Sequence, residues 1–299
     1  MLLKKFSLLV ILIILVFFLK SAIAQVEQES SDQQINDFSL SGFGERGKKT
    51  WELSAKSADI FTDVVKLKDI IGNLYREQEN IKLTADKGDF NKVENQIHLE
   101  QNVVITTSSG AKLTTDSLDW DRKNQVVTTK DKVNIERDGM ITIAQGAKGE
   151  PSLNKITLDK DVTVKINPQA APDQEDSVGK NKITITCDGS LQVDYEKNVA
   201  KFNDNVKVES KDATIYSDVM EVYFIMSDKA ATGINKESLA SGNKIEKIIA
   251  QGNVRIVRGD NTSYSDKAIY SAVDKKITLL GKPRLVIYST EDMNAAFRN

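Results

Sequence analysis

Period two dominates this chain from Phe38 onward. Runs such as Ile81-Lys82-Leu83-Thr84-Ala85, Val162-Thr163-Val164-Lys165-Ile166 and Ile183-Thr184-Ile185 alternate apolar and polar side chains. Successive side chains of an extended strand point to opposite faces, so this alternation describes strands with one buried face. The runs are rich in Val, Ile and Thr, which suit a pleated, half-buried surface. Charged clusters separate them, at Asp121-Arg122-Lys123-Asn124, Glu196-Lys197-Asn198 and Asp274-Lys275-Lys276. No amphipathic helix interrupts the pattern beyond a helical turn expected near Lys236–Ala240. The chain is all-β, and regular turns of this kind point to a sandwich, barrel, jelly roll or solenoid.

One phrase recurs inside this pattern. It reads LEQNVVIT at 99–106, TKDKVNIE at 129–136, LDKDVTVK at 158–165, FNDNVKVE at 202–209 and IIAQGNVRIVRG at 248–259. Each copy reads as a tight turn followed by a strand, so the expectation is one hairpin written five times. The valine after the turn falls at 103, 133, 162, 206 and 254, with gaps of 30, 29, 44 and 48. A related turn, Gly281-Lys282-Pro283-Arg284, follows. Periods of this size mean stacked units sharing one core. The long gaps hold the acidic, Pro-containing stretch 168–181, read as a linker, and 228–243, read as an inserted loop.

A chain of 299 residues has room for two domains, and these divide as 38–167 and 182–290, with a tail at 291–299. Lys plus Arg number 41 against 43 Asp plus Glu, which argues against nucleic acid as a partner, since that needs a basic face. The single cysteine, Cys187, forms no internal disulfide and is read as a small buried residue. At the N-terminus, Lys4 and Lys5 precede an uncharged apolar run from Phe6 to Leu19, then Ser21-Ala22-Ile23-Ala24. Residues 1–24 are therefore either a secretory signal cleaved after Ala24 or a retained membrane anchor over 6–24. Both readings place the rest outside the cytoplasm, after a flexible polar lead-in at 25–37.

Motifs of chemistry are weak. GFGERGKKT at 42–50 fits the glycine spacing of a nucleotide loop, but the alternating Trp51-Glu52-Leu53-Ser54-Ala55 follows where a helix N-terminus should hold the phosphate. It reads as a glycine-rich hairpin loop. His98 is the only histidine and sits mid-strand, which excludes multi-histidine zinc sites and leaves little for a triad. Asp119-Trp120-Asp121 and Asp159-Lys160-Asp161 read as turn acids rather than as calcium ligands or glycosidase carboxylates. No catalytic residue, metal or cofactor is expected, and the chain is read as a non-enzyme. The aromatic residues, Trp51 and Trp120 among them, are scattered singly and read as packing.

Two stretches carry a resemblance. GKKTWELSAKSADIF (47–61) and IKLTADKGDFNKVENQIHLEQNVVITTSSGAKLTTDSLDWD (81–121) contain Trp51, Leu53 and Ala55 as W-x-L-x-A. They also contain Leu83, Ala85, Asp86 and Gly88 as L-x-A-D-x-G, and Leu99, Asn102 and Val103 as L-x-x-N-V. Over about 36–166 the chain resembles the LptC family of lipopolysaccharide export. KITITCDGSLQVDYEKNVAKFNDNVKVES (182–210) and IIAQGNVRIVRGDNTSYSDKAIYSAVDKKITLLGKPRL (248–285) resemble the LptA and OstA-like family. The resemblance implies two tandem open, twisted β-jellyrolls that stack head to tail through their terminal strands, with an apolar groove for acyl chains. It implies a periplasmic bridge that shields lipopolysaccharide or a related glycolipid. Its partners would be the inner-membrane ABC transporter of that export and other jellyroll bridge proteins. The alternative is a periplasmic or surface β-solenoid scaffold without lipid cargo.

On the conduit reading the groove candidates alternate along strands. In the first half they are Ile81, Leu83, Val103 and Ile105. In the second they are Ile183, Ile185, Val206, Val208, Val254 and Ile256. Periodicity alone leaves open which face is the inner one, because a one-residue slip inverts every assignment.

Overall fold

The structure, a computed structural model, describes residues 31–44, 47–76, 79–166, 182–225, 244–274 and 276–287. The expected N-terminal signal or anchor, the linker 168–181, the insertion 228–243 with its helical turn and the tail 291–299 lie outside the described residues. In the first half the strands are β1 (Gln33–Phe43), β2 (Lys49–Ile60), β3 (Val64–Tyr75), β4 (Asn80–Asn91), β5 (Gln96–Thr107), β6 (Lys112–Asp121), β7 (Val126–Arg137), β8 (Met140–Gly149) and β9 (Lys155–Ile166). In the second they are β10 (Ile183–Cys187), β11 (Leu191–Asp194), β12 (Val199–Glu209), β13 (Thr214–Ile225), β14 (Lys244–Arg258), β15 (Asn261–Ser271), β16 (Lys276–Leu280) and β17 (Arg284–Val286). Successive strands pair antiparallel, except that β10 and β11 lie end to end between β9 and β12 and β16 and β17 lie end to end along β15, so the chain is one long meander. β1 begins at Gln33, inside the stretch expected as a lead-in. As an edge strand it is held by backbone pairing to β2 and leaves most side chains exposed, so it needs no apolar alternation.

The recurring phrase is not a hairpin. β5 runs straight through Gln101-Asn102, β12 through Asp204-Asn205 and β14 through Gly252-Asn253, and in each the pairing slips there. These residues have positive φ: 65° and 53° at 101–102, 64° and 51° at 204–205, 78° and 48° at 252–253. Gly, Asn and Asp tolerate that region best, and such a bulge bends a strand and adds twist. The phrase is a corner in mid-strand. The true hairpins are the charged clusters, and the 30-residue period is two long strands with their turns.

Each corner divides its strand into halves that belong to two facing layers. The buried side chains change parity at the corner, as in β3 with Val65 and Leu67 before it and Ile70 and Leu74 after it. That switch keeps the same side chains inward on both arms of a V. Neighbouring corners are tied together by one repeated hydrogen bond. Asn102 Nδ2 donates to Asp86 at 2.6 Å, Asn205 to Asp188 at 2.9 Å and Asn253 to Asp218 at 2.9 Å. Asp86 is the aspartate of L-x-A-D-x-G, and the asparagines are those of the recurring phrase.

The two halves are not separate bodies. β9 pairs along one half with β10, Ile166 facing Ile183, and along the other with β11, Leu158 facing Leu191. β10 and β11 are thus one strand interrupted at its corner, and both continue the sheet into β12. Residues from Gln33 onward form a single compact unit, two tandem open β-jellyrolls sharing one uninterrupted sheet.

Candidate functional site: the interior of the V and its mouth

The space between the layers is lined mainly by apolar side chains, with Thr115, Thr129, Ser217 and Ser265 buried among them. Nine of the ten groove candidates are buried, Val103 and Ile105 completely and Ile256 at 8% exposed, while Ile183 is half-buried. They all belong to one continuous cluster of buried side chains. The inner face is therefore the one bearing these residues, and Lys82, Thr184 and Lys207 stand on the other.

In the first half, Leu53, Leu74 and Leu83 of one layer face Phe90, Ile97, Leu99 and Trp120 of the other around a residual space of about 20 Å³. That is room for about one water. Where the halves join, Met140, Val164, Ile166 and Ile185 face Leu191, Val193, Phe202, Val222 and Phe224 around about 60 Å³. Most of these partners were legible by the same rule as the ten, provided the parity switch is placed at each Asp or Asn corner. Cys187 lies buried in this cluster, where burial pushes its thiol up to about 11. At neutral pH it stays a thiol.

The mouth of the V is where the hairpin turns of the two layers approach each other, and in the first half arginines bridge it. Arg122, in the β6–β7 turn, stacks 4.2 Å over Trp51 of the opposite layer and donates to Asn95 Oδ1 at 3.1 Å. Gly42 lies under the indole, and a Cβ there would collide with it. Arg76 reaches across to Gln125 Oε1 at 2.6 Å. Arg137, 5% exposed, donates to Leu153 O at 3.2 Å and Asn154 Oδ1 at 3.3 Å across the mouth, and stacks 3.8 Å from the Tyr195 ring of the second half. Asn154 in turn donates to Glu79 at 3.4 Å. Burial lowers the Arg122 pKa and raises that of Tyr195. Sequence reading passed over these arginines, because nothing local distinguishes them from other turn charges.

The motifs set aside as chemistry resolve structurally. GFGERGKKT opens directly into strand β2. His98 lies on the outer face between Asp119 at 2.6 Å and Glu100 at 3.0 Å. Asp121 accepts from the Asn124 amide in its turn, and Asp161 sits at a corner with φ 54°. Among the described residues no cluster of His, Cys, Asp or Glu could hold a metal ion.

Comparison with protein families decides the assignment. Residues 6–167 match the model for lipopolysaccharide-assembly, LptC-related proteins. The chain belongs to the LptC-related family. Residues 184–296 match the family of LptA and the LptD N-terminal domain, a lipopolysaccharide transport protein. Comparison with curated proteins finds no match. LptC- and LptA-type proteins are periplasmic, non-enzymatic bridge components. They bind lipopolysaccharide and link the inner-membrane ABC transporter to other bridge proteins. The present chain carries both types in one polypeptide, and the strand-to-strand contact between them is internal.

Proposed function

We propose that this chain is a two-module segment of the lipopolysaccharide bridge, and that its V-shaped interior shields the acyl chains while the sugars stay in water. The observation that carries this is the continuity of the apolar interior through the β9–β10/β11 junction. Each exposed CH₂ costs about 0.8 kcal/mol, so a chain of about 12 carbons costs on the order of 10 kcal/mol to leave in water. A multi-acylated lipid therefore needs an uninterrupted apolar path. The ten groove candidates line that path, with Trp120, Phe202 and Phe224 added. Neighbouring bridge proteins join by strand addition at the free edges, β1 at one end and β16 and β17 at the other. Leu285 and Ile287 are exposed at the latter edge. ATP hydrolysis in the partner transporter drives the movement. The LptC match starts at residue 6, within the apolar run, which favours residues 6–24 as a retained inner-membrane anchor.

One observation favours a scaffold reading for the first half. Its interior is filled, and about 20 Å³ holds no acyl chain. A conduit requires the layers to part. Photocrosslinking residues placed singly at 81–84, 183–186 and 206–209, in cells with ATP hydrolysis on and off, separate the two readings. The conduit gives ATP-dependent crosslinks to lipopolysaccharide at Ile81, Leu83, Ile183, Ile185, Val206 and Val208, and none at Lys82, Thr184 or Lys207. A folded, exported protein that crosslinks at neither parity is a scaffold.

A further inference from the structure

The arginines at the mouth are provided with the wrong partners for a permanent latch. Some cations of this protein pair with carboxylates, as in Lys49 with Glu52, Lys201 with Glu221 and Lys207 with Glu209, while Arg255 and Arg284 stack on Tyr216 and Tyr264. Arg76 and Arg122 have none within 4.0 Å among the described residues. Their acceptors are the neutral amide oxygens of Gln125 and Asn95. Arg137 also donates to neutral oxygens, those of Leu153 and Asn154. Its Nε, buried and without a hydrogen bond, is 3.8 Å from Asp138. Directly inside Arg122, Trp120 is 6% exposed and its indole N–H has no acceptor. A buried donor left unpaired is unfavourable until a ligand oxygen meets it.

We infer that Arg76, Arg122 and Arg137 form a row of exchangeable anion sites at the mouth of the first jellyroll, which receive the phosphate groups of an acylated phosphosugar. The inference rests on the conduit reading above. A phosphate adds charge–charge attraction to the hydrogen bonds of a guanidinium, which a neutral amide oxygen does not, and the planar fork matches phosphate geometry. A phosphate therefore displaces Gln125 from Arg76, the hydrogen bond that spans the two layers, and draws Arg122 off Asn95 of its own layer, so that binding there loosens the mouth. Trp51, Phe90 and Trp120 surround Arg122 at 4.2, 5.6 and 6.0 Å, which fixes the guanidinium without neutralising it. The Trp120 N–H, deeper by one step, suits an acyl carbonyl. Phosphate at the rim, carbonyl beneath and chains in the interior is the order of groups along such a lipid. The same exchange parts the two layers as cargo enters.

The protein supplies its own reporter, since its two tryptophans, Trp51 and Trp120, both stand at this site. The full chain is titrated, in one detergent, with bis-phosphorylated lipid A, with its dephosphorylated counterpart and with inorganic phosphate, and tryptophan emission is followed. The phosphorylated lipid is expected to bind about tenfold more tightly than the dephosphorylated one, and inorganic phosphate far more weakly than either. Arg122→Gln should cut that preference to within about threefold. Arg76→Gln, at an exposed position that leaves the fold intact, should lower it in the same direction. Equal binding of the two lipids, or an undiminished preference in both variants, overturns the anion row and leaves the conduit standing. Inorganic phosphate binding as tightly as the phosphorylated lipid overturns the headgroup assignment. If neither lipid binds, the conduit itself fails.

Discussion

Gly72 and Gly88 test the two-layer packing, because both are inward-facing strand glycines and their surroundings differ. A Cβ on Gly88 would stand 2.7 Å from the His98 carbonyl oxygen, 2.8 Å from Ile70 Cδ1 and 2.9 Å from Leu99 Cδ2. The carbonyl belongs to the β4–β5 pairing and cannot retreat without breaking it, so Gly88→Ala overpacks the interior at about 1–3 kcal/mol. At this chain length each kcal/mol is worth about 2–4 °C, so Tm falls by roughly 2–12 °C. A Cβ on Gly72 would meet Leu83 at 3.6 and 3.7 Å and Leu53 at 3.8 Å, ordinary contact distances. Neither glycine has the positive φ that disfavours alanine. Gly72→Ala therefore gains about 0.4–1 kcal/mol by restricting the unfolded chain. Thermal unfolding followed by circular dichroism reads both. A Gly88→Ala protein as stable as the parent, or a Gly72→Ala protein that loses as much as Gly88→Ala, refutes the packing described for the two arms.

Two further predictions concern the corner and the outer face. Asn102 has φ 53° and donates to Asp86. Asn102→Gly keeps the backbone and should cost about 1 kcal/mol for the bond, whereas Asn102→Val should cost clearly more through strain. Equal urea midpoints for the two variants would contradict a bent strand there. The His98 pKa is raised from its usual 6.5, first by its hydrogen bond to Asp119 and then by that to Glu100. Its contribution is full below pH 6.5 and is lost as pH rises through the raised folded value. The urea midpoint should drop between pH 6 and pH 9 in the parent and drop less in His98→Gln, and an identical drop in both would remove the assignment.

Much of this protein is written locally. Strand period, the hairpins at Asp121–Asn124 and Glu196–Asn198, and the alternation that buries Leu83, Ile105 and Val206 are properties of neighbouring residues, and a one-dimensional string records them. The Asn and Asp of the recurring phrase were also legible as residues that adopt positive φ. What they do with it was not. The same backbone conformation serves a chain reversal and a bend within a strand, and the choice depends on which strands pair alongside. Only tertiary pairing made Gln101-Asn102 a corner, fastened to Asp86 sixteen residues away. The mouth lies further still from sequence reach. Arg76 meets Gln125 across 49 positions and Asn154 meets Glu79 across 75. Period and propensity act within a few residues, whereas these contacts exist because two layers built from alternate half-strands close on one another.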